Sequence, residues 1–196
     1  MNAHCNDPPH NEPAKILREW LDAGAQGKLT LFKEDFEDDD FSLLLCKLVY
    51  SGPLHERLLR RWRSFCVWVG RHTPFSRWKE FWFRRAGASI GKNVFFAPDT
   101  EIDMLFPQLV TLEDGAVMGL GSMVMAHIYS PDRIVIARAA VKRYGLVGGR
   151  AILAITSIGE GSVLGLNSYT VKPIPDGCTA IGVPAVCQKQ GCQTTV

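Results

Sequence analysis

The sequence predicts a mainly β protein: a parallel β-helix preceded by an N-terminal helical segment. Two observations carry the prediction. Beyond Gly87 an aliphatic residue returns at every sixth position, as at Ile134, Leu146, Ile152, Ile158 and Leu164. Before Gly87 the apolar residues instead follow the three- and four-residue spacing of helices. A six-residue period suits neither an α-helix nor a hairpin-linked strand. It is the repeat of a β-helix, in which each hexad forms one side of a coil. No single hexad can bury its apolar face, so stacked coils must supply the core. A sandwich of short strands would need regular turn signals and leaves the sixfold register unexplained.

The elements follow in order. The opening residues 1–13 are proline-rich and polar, and are expected to be disordered. Ile16, Leu17, Trp20 and Leu21 predict a helix over Ala14–Ala23. Glu34–Asp40 reads as an acidic turn, and Phe41–Tyr50 as a buried helix. Leu54–Gly70 is predicted helical, with Leu58, Leu59, Trp62, Phe65, Cys66 and Val69 on one apolar face. Pro74 interrupts it, and Phe75–Arg85 continues as a shorter helix. The hexads then run through Ile90, Phe96 and Ile102, through Leu112, Met118 and Val124, and from Ile134 through Ala140 to Thr170. The three sets are out of phase, which implies inserted loops between them. The chain thus divides into a tail and helical cap (1–85), a β-helix (86–186) and a C-terminal tail (187–196).

Composition narrows the function. Hydrophobic residues make up 46% of the chain and charged residues 21%, as in ordinary globular proteins. A net charge of +2 gives no case for nucleic acid. The charge is unevenly spread: ten acids against five bases lie in Met1–Tyr50, and nine bases against two acids in His55–Arg85. That basic stretch holds Trp62, Trp68, Trp78 and Trp82. Such a surface suits peripheral contact with a membrane or a lipid-linked sugar. It also suits a hydrophobic cap over the first coil, and the need to cover a solenoid's end favours the cap. The six cysteines include no CxxC pair and read as reduced, unpaired thiols, which places the chain in the cytoplasm. The N-terminus lacks the pattern of a signal peptide, and the longest apolar run is too short to span a bilayer.

Four stretches carry a resemblance. ASIGKNVFFAPDTEID, FPQLVTLEDGAVMGLGSMVMAH, SIGEGSVLGLNSYTVKPIPDG and AIGVPA resemble the hexapeptide-repeat acyl-CoA-dependent acetyltransferases, in the branch of the sugar, galactoside and maltose O-acetyltransferases. The match runs from about Arg85 to Ala185. It implies a left-handed β-helix, a hand contrary to the usual right-handed crossover. It implies a homotrimer, acetyl-CoA as co-substrate in a groove between neighbouring β-helices, and a sugar or other small-molecule acceptor. The sequence departs from the family pattern at Ala140-Val141 and at Ala154-Ile155, where that pattern has Ile-Gly and Pro-Gly. The departures motivate an alternative from another class, a non-catalytic trimeric scaffold or binding protein.

His127 is the sole histidine of the repeat region and stands where the family keeps its catalytic base. Transfer from a thioester needs a group to accept the proton of the attacking hydroxyl, and imidazole suits that task near neutral pH. A lone histidine cannot supply the three-ligand zinc site of a β-helix carbonic anhydrase, so no metal is expected. By the same resemblance Asp103 faces the acceptor or orients His127 across a subunit boundary, and Tyr129 and Asp132 line the acceptor site. For acetyl-CoA the matching positions are Gly148, Gly149, Asn167, Ser168, Lys172 and Pro184. No cysteine or serine lies in a nucleophile motif, which points to direct transfer without a covalent intermediate.

Overall fold

A computed structural model describes residues 13–32 and 53–188. The expected acidic turn, the helix at Phe41–Tyr50, and most of both tails lie outside the described residues.

The repeat region winds into a three-sided prism. Hexads contribute short strands in turn to three parallel sheets, so each sheet collects one strand from each coil. On the first side Ile90 pairs in register with Leu112, Leu112 with Val141, Val141 with Ile158, and Ile158 with Ile174. The second side aligns Phe96, Met118, Val147, Leu164 and Ala180. The third aligns Ile102, Val124, Leu153 and Thr170. These three columns form one continuous hydrophobic core with the helical cap.

The expected period holds, but the expected register does not hold throughout. Ala140, Leu146 and Ile152 were expected inside; Val141, Val147 and Leu153 are the buried residues. A shortened step from Leu153 to Ile158 restores the phase afterwards. The correction also changes what lies two places before each core residue. Ala139, Gly145 and Ala151 replace Arg138, Tyr144 and Arg150, and small residues are what a tight corner admits.

Corners explain where the sequence is strained. In each coil the chain enters the second side through a left-handed residue: Asn93, Gly115, Tyr144, Gly161 or Gly177. It leaves that side through another: Asp99, Gly121, Arg150 or Asn167. Gly, Asn and Asp tolerate positive φ, whereas Tyr144, Arg150 and Ile155 bear a steric cost. All three costly residues belong to the coil that departs from the family pattern.

Two insertions break the prism. The first, Asp103–Leu109, ends in a 3-10 turn over Pro107–Leu109. The second is a hairpin of β2 (His127–Ser130) and β3 (Arg133–Ala137). Ile134, expected to start the third run of hexads, lies in this hairpin instead. β1 (Lys28–Phe32), which follows helix α1 (Pro13–Asp22), adds antiparallel to β3. No strand was expected there, although KLTLF alternates in the β manner.

Helices α2 (Leu54–His72) and α3 (Ser76–Ala86) cover the first coil. Phe83 meets Phe96 edge-on with centroids 5.3 Å apart. Cys66, Val67, Gly70 and Ala86 are buried with it. Gly70 allows the close crossing, because a Cβ there would stand 2.5 Å from the Phe83 ring. Lys79 is fully buried, and its ammonium donates to the carbonyls of Gly70 (3.1 Å) and Arg71 (2.8 Å). It therefore adds a donor at the end of α2, where the Gly70 carbonyl also accepts from the Thr73 N–H. Burial pushes the Lys79 pKa below the usual lysine value, and Asp99 opposes that shift. Gly87 ends α3 in the left-handed conformation at φ 104°.

Of the four tryptophans in this stretch, Trp82 alone packs against the core. Trp62, Trp68 and Trp78 are exposed, and so are Leu58, Leu59 and Phe65. The face of α2 expected to be buried thus points largely outward, while Val67 and Gly70 point in.

The cysteines also differ from expectation. Cys178 and Cys187 form a disulfide, because the hairpin of β4 (Thr179–Gly182) and β5 (Ala185–Cys187) brings their Cα atoms to 6.0 Å. Cys66 is a buried free thiol.

Candidate active site

The candidate site forms where both insertions leave the prism on neighbouring coils. Ile102 and Val124 are paired across adjacent strands, so the residues that follow them emerge side by side. Asp103 follows the first strand, and Ala126 and His127 follow the second.

Asp103 is the centre of this junction. Its Oδ1 accepts from the backbone N–H groups of Leu105 (2.9 Å) and Phe106 (2.8 Å). Oδ2 accepts from the backbone N–H groups of Ala126 (2.7 Å) and His127 (3.0 Å). The same oxygen meets His127 Nδ1 at 2.6 Å. The carboxylate side chain is fully enclosed. An ionised carboxylate only accepts, so the imidazole proton sits on Nδ1. In that tautomer Nε2 carries no proton and can accept one. The ring is held by the edge of Phe106, with centroids 5.6 Å apart, and by Tyr129, which lies nearly parallel at 6.0 Å.

Asp103 was expected to face the acceptor or to orient His127 across a subunit boundary. It is enclosed, and the His127 it bonds is that of its own chain. Five donors occupy its two oxygens, which leaves little capacity for a ligand. Phe106 and the backbone donors around Asp103 escaped the sequence reading. An aspartate whose side chain binds N–H groups two and three residues on is a turn signature, and Asp103 just ahead of Pro107 was the available sign.

No protein-family model matches the chain. It is 26% identical over 120 residues to YvoF of Bacillus subtilis (strain 168), named as a candidate acetyltransferase; the match covers 60% of this chain and 70% of YvoF. It is 26% identical over 147 residues to WcaF of Escherichia coli (strain K12), named as a candidate colanic acid biosynthesis acetyltransferase, covering 60% and 78%. Among solved structures it resembles the hexapeptide-repeat acetyltransferase VCA0836 of Vibrio cholerae O1 biovar eltor, complexed with acetyl coenzyme A. The TM-score is 0.59 at 14% identity, over 70% of this chain and 90% of that one. A galactoside acetyltransferase in complex with coenzyme A gives a TM-score of 0.54 at 15% identity, over 71% and 91%.

The chain has the fold of the hexapeptide-repeat acetyltransferases.

That fold is a left-handed parallel β-helix, as the resemblance implied. The remaining candidate residues of this hexapeptide-repeat chain lie along its edges. Gly148, Gly149 and Asn167 stand on successive coils of one corner, and Gly182 and Pro184 continue it. Gly148 has a structural reason to be glycine: a Cβ would sit 2.7 Å from backbone atoms of Leu164 and Gly165. Ser168 is buried beneath this corner. Its hydroxyl donates to the Leu166 carbonyl (3.3 Å) and accepts from the Gly182 N–H (3.0 Å). Pro184 is exposed in the β4–β5 turn. Lys172 is exposed just past the third side, on the edge from which the His127 hairpin also leaves. Asp132 is exposed at the hairpin tip, where it accepts from the Ser130 hydroxyl. It lies beyond the roughly 10 Å of strand that runs from His127 to Ser130.

Beside Asp103, Glu101 forms an ion pair with Arg71 at 2.7 Å. Burial raises the Glu101 pKa above the ordinary carboxylate value; Arg71 opposes the rise and Asp103 adds to it.

Proposed function

We propose that this chain is an acetyl-CoA-dependent O-acetyltransferase with His127 as general base and a sugar or other small hydroxylated molecule as acceptor. One observation supports it most: a buried Asp103 carboxylate fixes the His127 tautomer, leaving Nε2 to take a proton. In the reaction the acceptor oxygen attacks the thioester carbonyl while Nε2 removes its proton. The C–S bond then breaks, and His127 returns the proton to the departing thiolate of coenzyme A. Asp103 stays ionised and stabilises the transient imidazolium. It is a positioning residue, because it touches only His127 and backbone. General-base help of this kind supplies about 10²–10⁴-fold in rate.

Gly148, Gly149, Asn167 and Pro184 line the path of coenzyme A along their corner, with Ser168 bracing it from beneath. Lys172 supplies a point charge for a phosphate group. Tyr129 and Asp132 face the acceptor. The protein works as a homotrimer, whose neighbouring prisms complete the groove. Acetyl-CoA supply favours the cytoplasm. The scaffold alternative rested on the irregular hexads, and the corrected register accounts for those without loss of the fold. The test is release of free coenzyme A against a panel of sugars by wild type and His127→Ala. Turnover by wild type alone supports the reading, and equal turnover by both refutes it.

A further inference from the structure

Helix α2 is apolar on two opposite faces. Cys66, Val67 and Gly70 pack on the first coil, while Leu54, Leu58, Phe65 and Trp68 repeat at helical spacing on the other side. Trp68 is 53% exposed and Trp78 on α3 is 59% exposed. The outer rings form one connected surface. Phe65 lies 5.9 Å from Trp62, 6.4 Å from Trp68 and 6.3 Å from Trp82, whose ring is 5.4 Å from Phe81. Contiguous apolar surface of this kind marks an interaction site.

The charges around it select the partner. Glu56 is paired with Arg18 and Arg60, and Glu80 with Arg84. Among the described residues Arg57, Arg61 and Arg77 are exposed and pair with no acid, and Arg85 lies over the Phe81 ring. A second copy placed face to face here would bring arginines against arginines, which disfavours self-association. Tryptophan with arginine is the chemistry of a bilayer's interfacial zone, where rings sit among headgroups and guanidinium groups meet phosphates. No helix among the described residues is long and apolar enough to cross a membrane.

We propose that the outer face of α2 and α3 docks the protein on the surface of a bilayer containing anionic phospholipid. The proposal is independent of the transfer chemistry. The test is sedimentation of the full chain with vesicles of phosphatidylcholine alone or mixed with phosphatidylglycerol, at low and high salt, with tryptophan emission recorded. The expected result is binding to the mixed vesicles, weakened by salt, with blue-shifted emission quenched by brominated acyl chains. The combined substitution Trp62→Ser, Trp68→Ser and Trp78→Ser should lower partition at least about tenfold. Arg57→Gln, Arg61→Gln and Arg77→Gln should each lower it about fivefold. Acetyl-CoA binding should be unchanged in all of these variants. Absence of binding to mixed vesicles overturns the proposal, as does equal, salt-insensitive binding to phosphatidylcholine alone. If light scattering shows an assembly that the triple tryptophan variant loses, the face belongs to a second copy. If binding appears only after Glu34–Asp40 are neutralised to amides, the face belongs to the chain's own acidic segment. Either outcome also overturns the proposal.

Discussion

Asp103→Asn tests the site at its most constrained atom. The carboxylate receives two backbone N–H groups on Oδ1 and two on Oδ2, besides His127 Nδ1. An amide is nearly isosteric, but one of its ends is a donor. Turned toward His127, the new NH₂ faces the N–H groups of Ala126 and His127. Turned away, it faces those of Leu105 and Phe106. Either way two buried donors lose their acceptor, and the negative charge that balances an imidazolium is gone. Removing one partner of a buried charged network costs about 3–5 kcal/mol. For a chain of this size that lowers the Tm by roughly 6–20 °C. With the NH₂ toward the ring, Nδ1 must accept, the proton moves to Nε2, and the base is lost. The expected kinetic change is a fall in kcat of about 10²–10⁴-fold. KM for the acceptor should hold, since Asp103 is enclosed. The assays are thermal unfolding and steady-state coenzyme A release, the latter well below both unfolding temperatures. An unchanged Tm, or a kcat near wild type, would refute the reasoning.

Three further predictions follow from packing and charge. Leu153→Ala should cost about 2–5 kcal/mol in urea unfolding, and Leu146→Ala less than about 1 kcal/mol; equal costs would restore the uncorrected register. Lys79→Met takes the Lys79 donor from the Arg71 carbonyl and leaves the Gly70 carbonyl only the Thr73 N–H at 3.3 Å, and should lower stability by about 1–3 kcal/mol; a neutral result would mean that relief of the buried charge outweighs the cap. Burial raises the folded pKa of Glu101 above its ordinary 4.5. Its protonated form is therefore favoured by folding, and that contribution is full below the ordinary value and lost as pH rises through the raised one. The stability of wild type relative to Glu101→Gln should decline across that window, and a flat difference would contradict the shift.

The six-residue period made the prism legible, because each coil repeats the same inward position. Its phase between Ala139 and Ile155 was less legible. There Leu146 and Ile152 sit beside Val147 and Leu153, and hydrophobicity cannot choose between adjacent aliphatic residues. Position in the coil chooses, through the small residues Ala139, Gly145 and Ala151 at the corners. His127 was singled out because it matched a family motif. Its partner Asp103 was named, but its role required the pairing of Ile102 with Val124, which aligns two insertions distant in sequence. The face of α2 misled for a different reason: the helix is apolar on both sides, so periodicity marks two stripes and does not say which packs inward. The Cys178–Cys187 contact depended on a reversal at Val183-Pro184 that spacing alone does not specify.

We propose that Asp103 holds His127 as the base of acetyl transfer. Calorimetric binding of acetyl-CoA, paired with coenzyme A release, for wild type and His127→Ala on the same acceptor tests this. Acetyl-CoA affinity should match between the two, and turnover should fall about 10²–10⁴-fold in the variant. Undiminished turnover in His127→Ala would contradict it.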